Sequence, residues 1–299
     1  MQLGTNLSFS VKRWVEPESW ARVVRQDLDL ELAQFSFDIV DPWWPSELRS
    51  AMAKRIRKAV DAQGVTLHSA FVGLAHYTYN QLLHPLEEGR KASMQWYRNA
   101  IDFAGELEVE AMGGPAGAVS ADEALNGTVV KERYAFFLDC LSELSEHAKK
   151  RGLKALLIEP TPLTREFPST IESALKMQED LKGRTAVPIQ WCFDWGHAIY
   201  EPLYGEKAKD TLSWLKKLAP DIGQIQLQQS DGQLDRHWAF THEDGIVDPA
   251  QVVSEMNQAG LSDLPVFLEA FFPFEWANEQ VMEEMRHTFK VLKPAFSAE

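Results

Sequence analysis

Three carboxylates in this chain stand in apolar surroundings: Leu156-Leu157-Ile158-Glu159-Pro160, Trp191-Cys192-Phe193-Asp194 and Phe267-Leu268-Glu269-Ala270-Phe271. Burying such a group is costly unless it is paired, hydrogen-bonded or metal-bound. One strand-end carboxylate is as well explained by a salt bridge or by solvation as by a function. Three in the same setting point to oxygen ligands for a hard divalent cation. Two histidine patterns add to this: Asp194-Trp195-Gly196-His197 and Asp235-Arg236-His237. A lone loop histidine is usually polar surface, so His197 and His237 are weighed both ways, as surface and as contacts to substrate or metal. Arg165, in Thr164-Arg165-Glu166-Phe167-Pro168-Ser169-Thr170, and Arg236 are candidates to hold a phosphate or a sugar hydroxyl. Ser169 or Thr170 would cap the helix that follows. Salt bridges to Glu166 or Asp235 are the alternative for the two arginines. Trp195 belongs to a set of aromatics suited to stacking on sugar C–H faces, although most aromatics are core.

These side chains need elements to position them. Short apolar runs at 3–7, 30–35, 65–69, 109–112, 155–159, 189–194, 222–227 and 266–271 read as strands. Between them lie stretches of helical apolar spacing, such as Met94, Tyr97, Ile101 and Ala104, or Phe137, Leu141, Leu144 and Ala148. Turn residues fall where helices should stop, as in Lys150-Arg151-Gly152 and Ala259-Gly260. Eight strand-then-helix units predict an α/β fold, a single (β/α)8 barrel over residues 1–299, with an open doubly wound sheet as the alternative. The polar residues favour the barrel. Glu159, Asp194 and Glu269 end the fifth, sixth and eighth strands and Gln226 lies in the seventh, and a barrel gathers such ends on one catalytic face.

With 299 residues, 45% hydrophobic and 25% charged, the chain is ordinary for a globular protein and not for a disordered or fibrous one. Its net charge of −14 repels phosphate backbones, which argues against a nucleic-acid partner. No apolar run approaches the roughly 20 residues that span a bilayer. Cys140 and Cys192 cannot form a disulfide framework, and Met1-Gln2-Leu3-Gly4-Thr5-Asn6 lacks the features of a signal peptide. A cytoplasmic protein is expected.

The order of these motifs resembles the xylose-isomerase-like barrel superfamily, which includes sugar isomerases, ketose 3-epimerases, inosose dehydratases and endonuclease IV. Its pattern is Glu on strand five, Asp-x-x-His after strand six, His on strand seven and Glu on strand eight. Glu159, Asp194 with His197, and Glu269 match it, and Gly4-Thr5-Asn6 and His68 on strand three also fit. Gln226 stands in place of the strand-seven His, with Gln224 or Gln228 as alternatives if the alignment slips by two. The resemblance implies metal ligation by Glu159, Asp194, Gln226 and Glu269. Three carboxylates and an amide oxygen favour Mn²⁺ or Mg²⁺ over Zn²⁺. It implies proton transfer by Glu159 and Glu269 on opposite faces of a ketose, through a cis-enediolate, with substrate contacts from His68, Arg165, Trp195, His197, Arg236 and His237. The run Gln228-Gln229-Ser230-Asp231-Gly232 leading into Asp235-Arg236-His237-Trp238 resembles the branch acting on four-carbon ketose phosphates such as D- or L-erythrulose 1-phosphate. The reading is therefore a 3-epimerase of a small-molecule sugar or sugar phosphate, in a family where homo-oligomers are common. An aldose–ketose isomerase and a non-catalytic sugar-binding barrel are the alternatives. The Asp235-Arg236-His237 run is shared with endonuclease IV. Against DNA repair stand the net charge, the absent strand-seven His, and a fourth strand ending Met112-Gly113-Gly114 without a histidine.

Overall fold

The computed structural model describes residues 1–297. Eight strands, each hydrogen-bonded to the next, close into a barrel. They are β1 (Gln2–Asn6), β2 (Leu32–Ser36), β3 (Thr66–Phe71), β4 (Ala111–Gly114), β5 (Ala155–Ile158), β6 (Ile189–Asp194), β7 (Ile222–Leu227) and β8 (Pro265–Leu268). The first and last strands pair in parallel, Leu3 opposite Val266 and Thr5 opposite Leu268, which closes the ring. With helices between the strands this is the (β/α)8 fold that the alternating pattern predicts, and the open sheet is excluded.

Every strand is four to six residues long and largely buried. That explains why they read as near-continuous apolar runs rather than alternating ones: a barrel strand is covered by helices outside and packed side chains inside. The helices start on local signals. Asn126 caps the helix Gly127–Lys150 by accepting from the Thr128 and Val129 amides. Thr170 caps Ile171–Leu181 in a capping box with Ser173, so of the two proposed caps it is Thr170 that serves.

By packing, the chain forms two compact units. One comprises Met1–Phe35, Lys58–Leu67 and Phe193–Glu299, and the other Ser36–Arg57 and His68–Cys192. The second has an apolar centre of Phe71, Ala111, Ala155, Leu157 and Cys192. Cys140 and Cys192 are both buried free thiols. Among the described residues no helix is long and apolar enough to cross a membrane.

Candidate active site

The site is built in the first unit, where β1, β2, β6, β7 and β8 contribute. Asp194 is the last residue of β6 and N-caps the short turn Trp195–Ala198. Its Oδ1 accepts the His197 backbone N–H at 3.0 Å and an Nε2–H of Gln228 at 3.0 Å. Its Oδ2 is buried and has no hydrogen-bond partner among the described residues. The same turn carries the buried His197 back so that its Nε2 meets Oδ2 of Asp235 at 3.1 Å.

His237 arrives from a loop that leaves β7 and returns. Gln229 and Trp238 exchange backbone hydrogen bonds as an antiparallel bridge, each 3.0 Å, which brings His237 back beside Gln228. At this position His237 has φ 49, the left-handed region. Its N–H donates to Oε1 of Gln228 at 2.5 Å and its carbonyl accepts from Phe271. The imidazole Nε2 lies 3.1 Å from Oδ1 of Asp235, while Nδ1, buried and without a hydrogen-bond partner, faces Oε2 of Glu269 at 3.8 Å. Burial works against a charge on this ring, but the carboxylates of Asp235, Glu269 and Asp194 outweigh it and raise its pKa to about 10. Asp235 is held well below the usual carboxylate range, the imidazoles of His237 and His197 overcoming its own desolvation.

Glu269 follows β8 directly, its backbone N–H bonded to the Leu227 carbonyl. Its Oε1 accepts from Nδ2 of Asn6 at 3.4 Å, and the same Nδ2 donates to Oε1 of Gln34 at 2.7 Å. Gln226 donates its amide to that Gln34 oxygen at 3.0 Å. Asn6, Gln34 and Gln226 thus form a buried amide layer supporting Glu269.

A divalent cation fits this donor set. Asp194, His237 and Glu269 each offer one ligand atom, all within 4.8 Å of one another. Oδ2 of Asp194 and Nδ1 of His237 are buried and have no hydrogen-bond partner among the described residues. Such atoms are costly inside a protein and are what a bound cation would satisfy, His237 giving up its Nδ1 proton on binding.

The other expected site residues fall as follows. Glu159 stands directly after β5, in the second unit, and is buried. Gln226 is on β7 as expected, its amide directed to Gln34. His237, weighed from sequence as surface or as a contact to substrate or metal, stands beside Asp194 and Glu269. His68 is the third residue of β3, which runs on to Phe71, two residues beyond the apolar run read from sequence. Its carbonyl accepts from the Glu110 amide, just ahead of β4. Burial lowers its pKa. Trp195 is buried with its ring edge on Phe193 and lines a cavity of about 230 Å³ whose walls include none of Asp194, His237 and Glu269. Arg236 makes a two-pronged pair with Oδ2 of Asp231, not with Asp235, and stacks 4.9 Å above the Trp238 ring. Arg165 donates to the Val119 carbonyl at 2.7 Å and is only half-buried. Sequence reasoning missed Gln34, Gln228 as a hub, and Asp235 as the link between two histidines; the available signal was an amide inside an otherwise apolar strand.

The fold and this cluster define an enzyme barrel of the isomerase class. The chain belongs to the xylose isomerase-like TIM barrel family, whose model matches residues 30–291. It is 43% identical to a candidate xylose isomerase of Rhodospirillum rubrum ATCC 11170, with a TM-score of 0.95 and 99% of each chain covered. D-erythrulose 1-phosphate 3-epimerase of Brucella abortus (strain 2308) is 23% identical to it over 94% of this chain and 91% of its own. D-psicose 3-epimerase of Clostridium cellulolyticum H10, solved with D-tagatose, shares the fold at a TM-score of 0.74 and 10% identity over 99% of each chain.

Proposed function

We propose that this chain is a metal-dependent 3-epimerase of a ketose or ketose phosphate, with D- or L-erythrulose 1-phosphate the first substrates to test. The observation that carries the metal part is the convergence of Asp194, His237 and Glu269, with Oδ2 of Asp194 and Nδ1 of His237 buried and without a hydrogen-bond partner among the described residues. The sequence similarity to an erythrulose 1-phosphate 3-epimerase along nearly the whole chain supports the substrate. A cation held by these residues would stabilise the negative charge that develops when a carbon beside a carbonyl loses its proton. The carboxylates suit Mn²⁺ and Mg²⁺ while an imidazole also suits Zn²⁺, so Mn²⁺ and Mg²⁺ are the first ions to test and Zn²⁺ the control.

The proton work falls to carboxylates. Glu269, fixed at Oε1 by Asn6, takes or returns the C3 proton through Oε2. The family resemblance assigns the second proton-transfer role to Glu159. Inversion at C3 needs two such groups, because a single base returns the proton to the face it came from. The amide layer beneath Glu269 keeps its carboxylate from rotating during the transfer.

The second reading is aldose–ketose isomerisation, favoured by the 43% identity to the Rhodospirillum rubrum chain. It uses the same residues with the substrate shifted by about one bond. Proton NMR in D₂O separates the two. Incubation with D- or L-erythrulose 1-phosphate and Mn²⁺ or Mg²⁺ should give deuterium at C3 and the opposite epimer, and EDTA should abolish both. Deuterium at C1 with aldose formation establishes the isomerase instead. No exchange with these compounds or with a panel of unphosphorylated ketoses overturns the proposal.

A further inference from the structure

Gln228 is the first residue beyond β7 and is completely buried. A buried side-chain amide has two N–H donors and one carbonyl acceptor to satisfy. Here each goes to the putting-together of the metal cluster: Nε2 donates to Oδ1 of Asp194 at 3.0 Å and to Oδ1 of Asp235 at 2.7 Å, and Oε1 accepts the His237 backbone N–H at 2.5 Å. One neutral side chain therefore spaces two like-charged carboxylates and fixes the backbone of the histidine that Asp235 orients.

The neighbouring chain is shaped to admit it. A Cβ at Gly196 would stand 2.4 Å from Cδ of Gln228, so only glycine in the Asp194-Trp195-Gly196-His197 turn leaves room for the amide. The next residue provides a contrast. Gln229 is also buried and also uses both ends of its amide, donating to the Val247 carbonyl and accepting from the Val247 and Ser230 backbones. It ties a loop together and makes no contact with a carboxylate in these bonds.

We propose that Gln228 is a positioning residue for the metal centre, its amide directing Oδ2 of Asp194 and Nδ1 of His237 toward a common ligand. By accepting two N–H groups at Oδ1, Asp194 is left with Oδ2 facing the cluster. Asp235, held by Gln228 at Oδ1, engages Nε2 of His237 and leaves Nδ1 as the coordinating nitrogen. Outer partners of this kind typically change metal affinity or activity 10–100-fold when removed. The inference rests on the metal-site reading above.

The test compares Gln228→Met, Gly196→Ala and Gln229→Met with the wild-type chain, by Mn²⁺ titration calorimetry, the visible spectrum of the Co²⁺-loaded protein, and thermal unfolding with and without metal. Gln228→Met keeps the length of the side chain and removes its hydrogen bonds. It should weaken Mn²⁺ binding about 10–100-fold and alter the Co²⁺ spectrum. Gly196→Ala should do the same with Gln228 intact. Gln229→Met should lower the metal-free melting temperature but leave the Mn²⁺ affinity and the Co²⁺ spectrum as in wild type. Wild-type affinity and spectrum in folded Gln228→Met overturn the role, as does an equal loss in Gln229→Met. A wild-type chain that binds no divalent cation overturns the metal reading itself, and this role with it.

Discussion

Asp235 stands between two imidazoles, with Oδ1 at 3.1 Å from Nε2 of His237 and Oδ2 at 3.1 Å from Nε2 of His197. Both histidines thereby spend Nε2 on the same carboxylate. For His237 that leaves Nδ1 on the side of Glu269, 3.8 Å from its Oε2. A carboxylate behind a histidine makes the imidazole a better ligand and fixes which nitrogen is presented. In the proposed metal centre, the loop from β7 would thus supply in two residues, Asp235 and His237, a ligand and the group that aims it.

Glu269→Gln tests the proton-transfer role. The amide keeps the shape of the side chain and its contact with Asn6 but cannot act as a base. Exchange of the substrate C3 proton into D₂O should fall about 10²–10⁴-fold. The melting temperature of the metal-free protein should change little. A variant with more than a tenth of wild-type exchange would remove Glu269 from the chemistry.

Removing His237 and removing Gln226 should give opposite results. His237→Gln takes away an imidazole facing Asp194 and Glu269, so the Mn²⁺ dissociation constant should rise at least 10-fold by calorimetry. Gln226→Leu instead strips one donor from the Gln34 oxygen in the buried amide layer. It should cost about 1–3 kcal/mol of stability in urea unfolding while Mn²⁺ affinity stays within about 3-fold of wild type. The reverse pattern would restore Gln226 as the strand-seven ligand.

Much of this site was legible in the sequence because burying charge is expensive. Glu159, Asp194 and Glu269 betrayed themselves as carboxylates at the ends of apolar runs, and the runs themselves located all eight strands. Amides are cheaper to bury than carboxylates, so Gln34 and Gln228 drew no comparable attention. The partners of His237 were hidden for a different reason. Its place depends on a loop folding back through the Gln229–Trp238 bridge, a long-range pairing that no local period encodes. The end of β3 was missed as well: the apolar run read from sequence stops at Ser69, while the strand continues through Ala70 to Phe71.

Metal loading should be visible as stability. A ligand that binds only the folded chain stabilises it by about 2.7 kcal/mol at 100 times its dissociation constant. Differential scanning calorimetry should show a melting temperature that climbs with Mn²⁺ concentration and drops back on EDTA. Asp194→Asn, which removes the negative charge of that carboxylate, should flatten the climb. An equal rise in that variant would mean the cation acts elsewhere.

His76 provides the pH dependence. It stacks on Trp96 at 3.6 Å between ring centres, and its buried Nε2 has no hydrogen-bond partner among the described residues. Burial pushes its pKa down to about 3 from an ordinary value of 6.5. The unfolded chain therefore takes up a proton near pH 6.5 that the folded chain refuses until near pH 3. The stability linked to a neutral His76 is complete above pH 6.5 and is lost progressively as pH falls from there toward 3. At pH 5 the loss amounts to about 2 kcal/mol. His76→Phe keeps a ring against Trp96 and has nothing to titrate. Urea unfolding of wild type and His76→Phe should differ by a constant amount above pH 7, then shift in favour of the variant by about 2 kcal/mol at pH 5. A difference that stays flat across pH 5–8 would show that the imidazole accepts a proton in the folded chain as readily as in the unfolded one.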